Sequence, residues 1–161
     1  MLMHLKANNM KRTFIFLLLL IPIVGAAQSG YTYVIPSAGV TLEESGMVRF
    51  GIEYNNRYYE GWEIVFEATL DNNGSNEEAY LGGVYFEPLL FRNRDVLSNL
   101  RFGVLGGSQQ QEFAIAAGGG IELSFVLRGN LILSIQQDTK LVFGADRTFR
   151  HGVLLALKIP I

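Results

Sequence analysis

Short runs of alternating apolar and polar residues recur from about Val48 to the end of the chain, and this constrains the fold more than any other feature. Val48, Phe50, Ile52 and Tyr54 alternate with Arg49, Gly51, Glu53 and Asn55, and Trp62, Ile64, Phe66, Ala68 and Leu70 alternate with Gly61, Glu63, Val65, Glu67 and Thr69. Successive side chains on a strand point to opposite faces, so each run has one greasy face and one charged face. A closed sheet with lipid outside and polar groups inside needs this pattern, and no apolar run after residue 27 reaches the length of a membrane helix.

Lys11 and Arg12 precede the 11-residue apolar stretch Phe14 to Val24, and Gly25-Ala26-Ala27 follows. This is the pattern of a secretory signal peptide covering residues 1–27 and cleaved after Ala27, with Met10 a second candidate start. An anchor helix needs ~20 apolar residues, more than this stretch offers. The mature domain, residues 28–161, keeps 10 basic residues (13 less Lys6, Lys11 and Arg12) against 15 acidic ones, a net charge of −5. That balance argues against direct binding of nucleic acid. There is no cysteine, which excludes disulfides, thiolate metal sites and a lipid anchor on Cys. These features point to the outer membrane of a Gram-negative bacterium.

Eight strands are expected: Tyr33 to Leu42, Met47 to Asn55, Gly61 to Leu70, Ala79 to Leu89, Leu100 to Gly106, Phe113 to Val126, Leu131 to Phe143 and Phe149 to Ile161. Turn chemistry separates them in Asp71-Asn72-Asn73-Gly74-Ser75-Asn76, Arg128-Gly129-Asn130 and Gly144-Ala145-Asp146-Arg147. The expected fold is all-β, an antiparallel up-and-down transmembrane barrel. With both termini in the periplasm, Tyr54, Trp62, Phe86, Phe102 and Phe125 fall at the periplasmic ends of their strands. Tyr80, Phe113, Phe143 and Phe149 fall at the outer ends, giving the two aromatic girdles of such barrels. Gln137 and Thr139 break the pattern on the lipid side, which calls for a bulge or for that half of the strand to stand above the hydrocarbon.

The inward face collects Arg49, Glu53, Glu63, Glu67, Glu87, Arg101, Glu122, Asp138, Lys140, Arg150 and Lys158. An eight-stranded barrel is just wide enough for side chains to fill it. Six acids and five bases in that space are expected to pair, because an unpaired buried charge is costly. No cofactor or metal is expected, and no catalytic set emerges. Glu63 and Glu67 are four residues apart on a strand, ~13 Å along its axis, beyond the ~5–9.5 Å of a glycosidase pair. His151 faces outward near the outer rim, with no serine on its own strand. Gly118-Gly119-Gly120 opens no helix and is no phosphate loop.

Charges also divide by side. Glu43, Glu44, Asp71, Glu77, Glu78, Glu112 and Asp146 face Arg147 alone in the outer loops. Arg57, Arg92, Arg94 and Arg128 face Glu60 and Asp95 in the periplasmic turns. In the last strand, Arg150, Gly152, Leu155 and Leu157 carry spacings that resemble the C-terminal signal read by the machinery that inserts outer-membrane barrels, although the chain ends Ile159-Pro160-Ile161 without the usual aromatic.

With the strands placed, the chain resembles the TraO family of conjugative-transposon proteins of Bacteroides and relatives. One matching segment is Phe50-Gly51-Ile52-Glu53-Tyr54 with Arg57-Tyr58-Tyr59. The other runs from Gly118-Gly119 and Ile121-Glu122-Leu123 through Asn130-Leu131-Ile132-Leu133 and Leu141-Val142-Phe143-Gly144 to Phe149 and the strand from Gly152. The stretch from Asn72 to Gln111 departs from the family. The resemblance implies an envelope role in conjugal DNA transfer beside other proteins of the mating apparatus, and it implies no catalytic residues. The alternative is a general small outer-membrane barrel with a structural or loop-mediated binding role.

Overall fold

Alternation becomes geometry in a computed structural model of the chain, which describes residues 30–42, 45–70, 78–144 and 147–161. The proposed signal peptide, the Asp71–Asn76 turn and the acidic residues Glu43, Glu44, Glu77 and Asp146 lie outside the described residues. The strand segments are β1 (Tyr31–Thr41), β2 (Gly46–Asn55), β3 (Gly61–Leu70), β4 (Ala79–Glu87), β5 (Leu89–Arg92), β6 (Val96–Gln109), β7 (Glu112–Val126), β8 (Ile132–Phe143) and β9 (Arg147–Pro160). Neighbours pair antiparallel in the order β4-β3-β2-β1-β9-β8-β7-β6-β5, and a further pairing of β4 with β6 closes the sheet. β4 and β5 are two parts of one stave, separated at Pro88, and both pair with β6. The fold is therefore a closed eight-stave antiparallel barrel.

The register gives its shape. Phe149 pairs with Leu141, then Ala117, Val104, Val84, Ile64, Ile52 and Val34 follow in turn, and Val34 pairs with Ile159. One circuit thus returns to β9 ten residues from its start. A shift of ten over eight staves tilts the strands by roughly 40°. The shift is even, so a circuit that starts on the outward face ends on it, and every residue in that circuit is exposed or half-buried. At this tilt each residue climbs about 2.5 Å, so Phe149 and Ile159 are about 25 Å apart in height, the thickness of the apolar band of an outer-membrane barrel.

Outside, the barrel is apolar. Phe66 is 67% exposed and Val104 64%, with Phe50, Ile52, Ile64, Val84 and Leu155 around them. Trp62 and Phe86 pack with ring centroids 4.8 Å apart in the lower girdle. Inside, two apolar clusters bracket a charged middle. The lower one joins Tyr33, Ile35, Leu97, Ile132 and Ala156, with Tyr59, Leu89 and Val126 packed against it. The upper one joins Val65, Ala79, Leu81, Tyr85, Leu105, Ala114, Ala116 and Val142.

β1 begins at Tyr31 rather than Tyr33 and β9 at Arg147 rather than Phe149, which takes Arg147 out of the loop, and three other places differ from expectation. The stave beginning at Ala79 does not run unbroken to Leu89, because Pro88 lacks the amide that continues a ladder. It resumes as β5, with a register shift between Leu89 and Phe91. β6 extends four residues below Leu100 and three beyond Gly106, so Phe102 lies in mid-strand rather than at its periplasmic end. Its pairing with Phe86 still brings it beside the lower girdle. The loop between β6 and β7 has only two residues, Gln110 (φ 52°) and Gln111 (φ 68°), with Gln109 paired to Glu112. That left-handed pair is the geometry of a type I′ hairpin turn, usually written Asn-Gly, and glutamine hides it from a sequence search.

Candidate functional site

Strands that alternate faces send one side chain in two toward the axis, and all eleven charged residues of the inward set are buried. Arg101 on β6 is the hub. Its guanidinium lies 2.7 Å from Glu63, 2.7 Å from Glu87, 3.2 Å from Glu122 and 3.3 Å from Asp138. Lys158 Nζ is 2.5 Å from Glu53, 2.6 Å from Glu122 and 3.7 Å from Glu87. Arg49 pairs with Glu67 at 2.7 Å and with Asp138, and Lys140 pairs with Glu67. Arg150 is buried beside them on β9, where it is the cross-strand partner of Lys140.

Neutral side chains connect these groups. Gln136 Nε2 donates to Glu122 at 2.8 Å while its Oε1 accepts from Arg49 at 3.1 Å, and Ser124 Oγ donates to Glu122 at 2.8 Å. Tyr85 lies under both Arg49 and Arg101, with its ring centre 5.4 and 4.7 Å from their guanidinium carbons. A lumen filled in this way leaves no wide aqueous path through its charged layer. Its chemistry is mutual neutralisation, and the ion pairs cross the axis to hold opposite staves together.

Glu63 and Glu67 serve different cations, the first Arg101 and the second Arg49 and Lys140, rather than facing a common substrate. Gly118, Gly119 and Gly120 lie within β7. A Cβ on Gly120 would overlap the carbonyl oxygen of Gln137, so the backbone of β8 approaches too closely there for a side chain. Of the four residues of the proposed insertion signal, Arg150 and Gly152 are buried, Leu155 is exposed and Leu157 half-buried.

One cluster escaped the sequence reading. The register of β8 runs unbroken against both neighbours, so no bulge turns Gln137 and Thr139 inward, and both lie lower on the strand than Phe143 at its upper end. Both belong to an outward-facing set with His151. Gln137 Nε2 donates to Thr139 Oγ1 at 3.0 Å, and Thr139 Oγ1 lies 3.0 Å from His151 Nδ1. His151 has no hydroxyl partner on its own strand. The partner is the cross-strand neighbour, which only the register reveals.

At the lower rim, Asn56 Oδ1 accepts from the amides of Tyr58 (2.8 Å) and Glu60 (3.1 Å), holding the β2–β3 turn. That turn places Tyr59 against the lower cluster, with Arg92 stacked 4.0 Å over its ring. Arg57, Arg92, Arg94 and Arg128 are all exposed there.

No protein-family model matches the chain, and no curated protein matches it. Solved structures do. A de novo designed transmembrane β-barrel superposes with a TM-score of 0.56 at 14% identity, over 82% of this chain and 96% of that one. The outer membrane enzyme PagL gives 0.53 at 15% identity, over 80% and 99%. The Yersinia pestis outer membrane protein Ail, determined in a phospholipid bilayer nanodisc, gives 0.52 at 10% identity, over 81% and 100%. These likenesses establish the fold, an outer-membrane-type eight-strand barrel. One is an enzyme and another is simply an outer membrane protein, so the fold does not settle the chemistry, which is argued from this chain's own residues.

Proposed function

We propose that the chain is a non-enzymatic outer-membrane barrel that accompanies the apparatus of conjugative DNA transfer, as its resemblance to the TraO family implies. The observation that carries the molecular half of this reading is the filled lumen. A barrel whose axis is occupied by Arg101, Lys158 and their carboxylates acts through its outer surface and its rims rather than as a conduit. The process half rests on the TraO-like segments. These fall on β2 and its following turn and on β7 to β9, so they cluster on one side of the barrel with only β1 between them. The departing stretch includes β4 to β6 on the other side. Export through the signal peptide and recognition of Arg150, Gly152, Leu155 and Leu157 by the insertion machinery complete the route to the outer membrane, where lipid covers the apolar belt.

Transfer frequency tests the process. Deleting the gene from a donor lowers transfer, and supplying it in trans restores it. An unchanged frequency in the deletion strain sinks the conjugation reading and leaves the general barrel. That second reading is favoured by the exposed arginines of the periplasmic rim, which suit a partner carrying acidic groups.

A further inference from the structure

Among the described residues the outward cluster of Gln137, Thr139 and His151 has no counterpart elsewhere on the apolar belt, and the lumen network makes no use of it. His151 is two residues below Phe149 and Thr139 four below Phe143. At about 2.5 Å of height per residue, the hydroxyl–imidazole pair sits roughly 5–10 Å beneath the upper aromatic rings. This is the uppermost part of the apolar band, just beneath the boundary at which headgroups give way to acyl chains. Polar side chains facing hydrocarbon are costly unless they find hydrogen-bond partners.

The pairing among them is incomplete by count. Gln137 donates to Thr139 Oγ1. If Thr139 donates onward to His151 Nδ1, the ring carries its proton on Nε2 and that N–H is left over. If Nδ1–H donates to Thr139 instead, the threonine hydroxyl hydrogen is left over. Either tautomer leaves a donor to spare. The second amide hydrogen of Gln137 adds another. No side chain from β7 covers these donors at their own level, because the cross-strand neighbour of Thr139 there is Gly119. A Cβ there would make only ordinary contacts, with Arg101 O at 3.6 Å and Phe102 Cδ1 at 3.9 Å, and none with the cluster. The ring of Phe149 stacks near His151, with centroids 6.5 Å apart and planes within 10°.

We propose that Gln137, Thr139 and His151 form a lipid-binding site that takes the ester carbonyl joining a membrane lipid's headgroup to its acyl chain. At the boundary just above the cluster, ester carbonyls supply acceptors and bring no donors of their own, which complements a cluster with donors in excess. The site rests on the placement of the barrel in a membrane but not on conjugation.

The test reconstitutes the mature protein into vesicles containing equal amounts of diester and diether phosphatidylcholine of the same chain length. Lipid retained by each barrel is then measured by native mass spectrometry. The ester lipid is expected to be retained over the ether lipid by roughly 2–10-fold, the worth of one hydrogen bond. Thr139→Val with His151→Leu abolishes the preference, and so does Gly119→Leu, which covers the site from the neighbouring strand without touching it. The unboiled gel mobility of each variant confirms a folded barrel. Equal retention by the inserted wild-type protein overturns the site and leaves the membrane reading intact. Failure to enter vesicles at all overturns both. Crosslinking of Gly119→Cys between two barrels in these vesicles also overturns it, by showing that a second copy covers the cluster.

Discussion

Arg101 on β6 reaches past β4 to place its guanidinium 2.7 Å from Glu63 on β3, with both side chains fully buried. The pair links staves that share no backbone hydrogen bonds. Glu87, Glu122 and Asp138 converge on the same guanidinium. Arg101→Ala leaves these carboxylates facing one another across a low-dielectric lumen. Removing one member of a buried pair costs about 3–5 kcal/mol. The urea midpoint for loss of the fast-migrating unboiled form is expected to fall markedly. Arg57→Ala, at an exposed rim position, changes stability by no more than about 0.5 kcal/mol and leaves the midpoint nearly in place. Equal midpoints for the two variants would contradict the central role given to Arg101.

The Gln110–Gln111 turn holds two non-glycine residues at positive φ. Left-handed backbone costs about 1–2 kcal/mol per ordinary residue, and Asn-Gly is the pair suited to a type I′ turn. Gln110→Asn with Gln111→Gly is therefore expected to stabilise the barrel by about 1 kcal/mol, after allowance for the greater freedom of glycine in the unfolded chain. Urea unfolding of the double variant, compared with wild type in the same detergent, checks the sign.

Glycines of the barrel are not equivalent. A Cβ at Gly83 would overlap the carbonyl oxygen of Val104 and lie 2.6 Å from Leu105 Cα, so backbone must move. A Cβ at Gly119 makes only ordinary contacts. Gly83→Ala is expected to destabilise by about 1–3 kcal/mol through overpacking, while Gly119→Ala stays close to neutral. Thermal loss of heat-modifiable mobility separates the two.

Gly152 distinguishes folding from assembly. A Cβ there would meet the terminal methyl of Met47 at 2.5 Å, and that methyl can swing aside because it ends a flexible side chain. Gly152→Ala is expected to refold in detergent nearly as wild type does. Its assembly in cells is expected to slow if Gly152 belongs to the insertion signal. Normal yield in the outer-membrane fraction would remove Gly152 from that signal.

Much of this architecture is legible in the chain because a strand has a period of two. Arg49 and Glu53, or Phe50 and Ile52, declare their faces without reference to anything distant. The breaks are legible where turns use asparagine and glycine, and obscure where Gln110 and Gln111 make a tight turn without them. Pro88 is visible, but the continuation of its stave as β5 depends on pairing with Leu97 to Asn99 of β6. The outward cluster was harder still. Gln137 and Thr139 read as flaws in one strand and His151 as a lone residue in another.

Local alternation and turn chemistry by themselves determined the class of fold, the number of staves and which residues face inward, since each depends on neighbours within a few positions. The tertiary structure alone decided who meets whom. The ten-residue shift around the barrel fixes which staves lie opposite and at what height. Closure of β1 on β9 brings Lys158 to Glu53, Arg49 to Asp138 and Lys140 to Glu67, while the register of neighbouring staves brings Arg101 to Glu63 and Thr139 to His151.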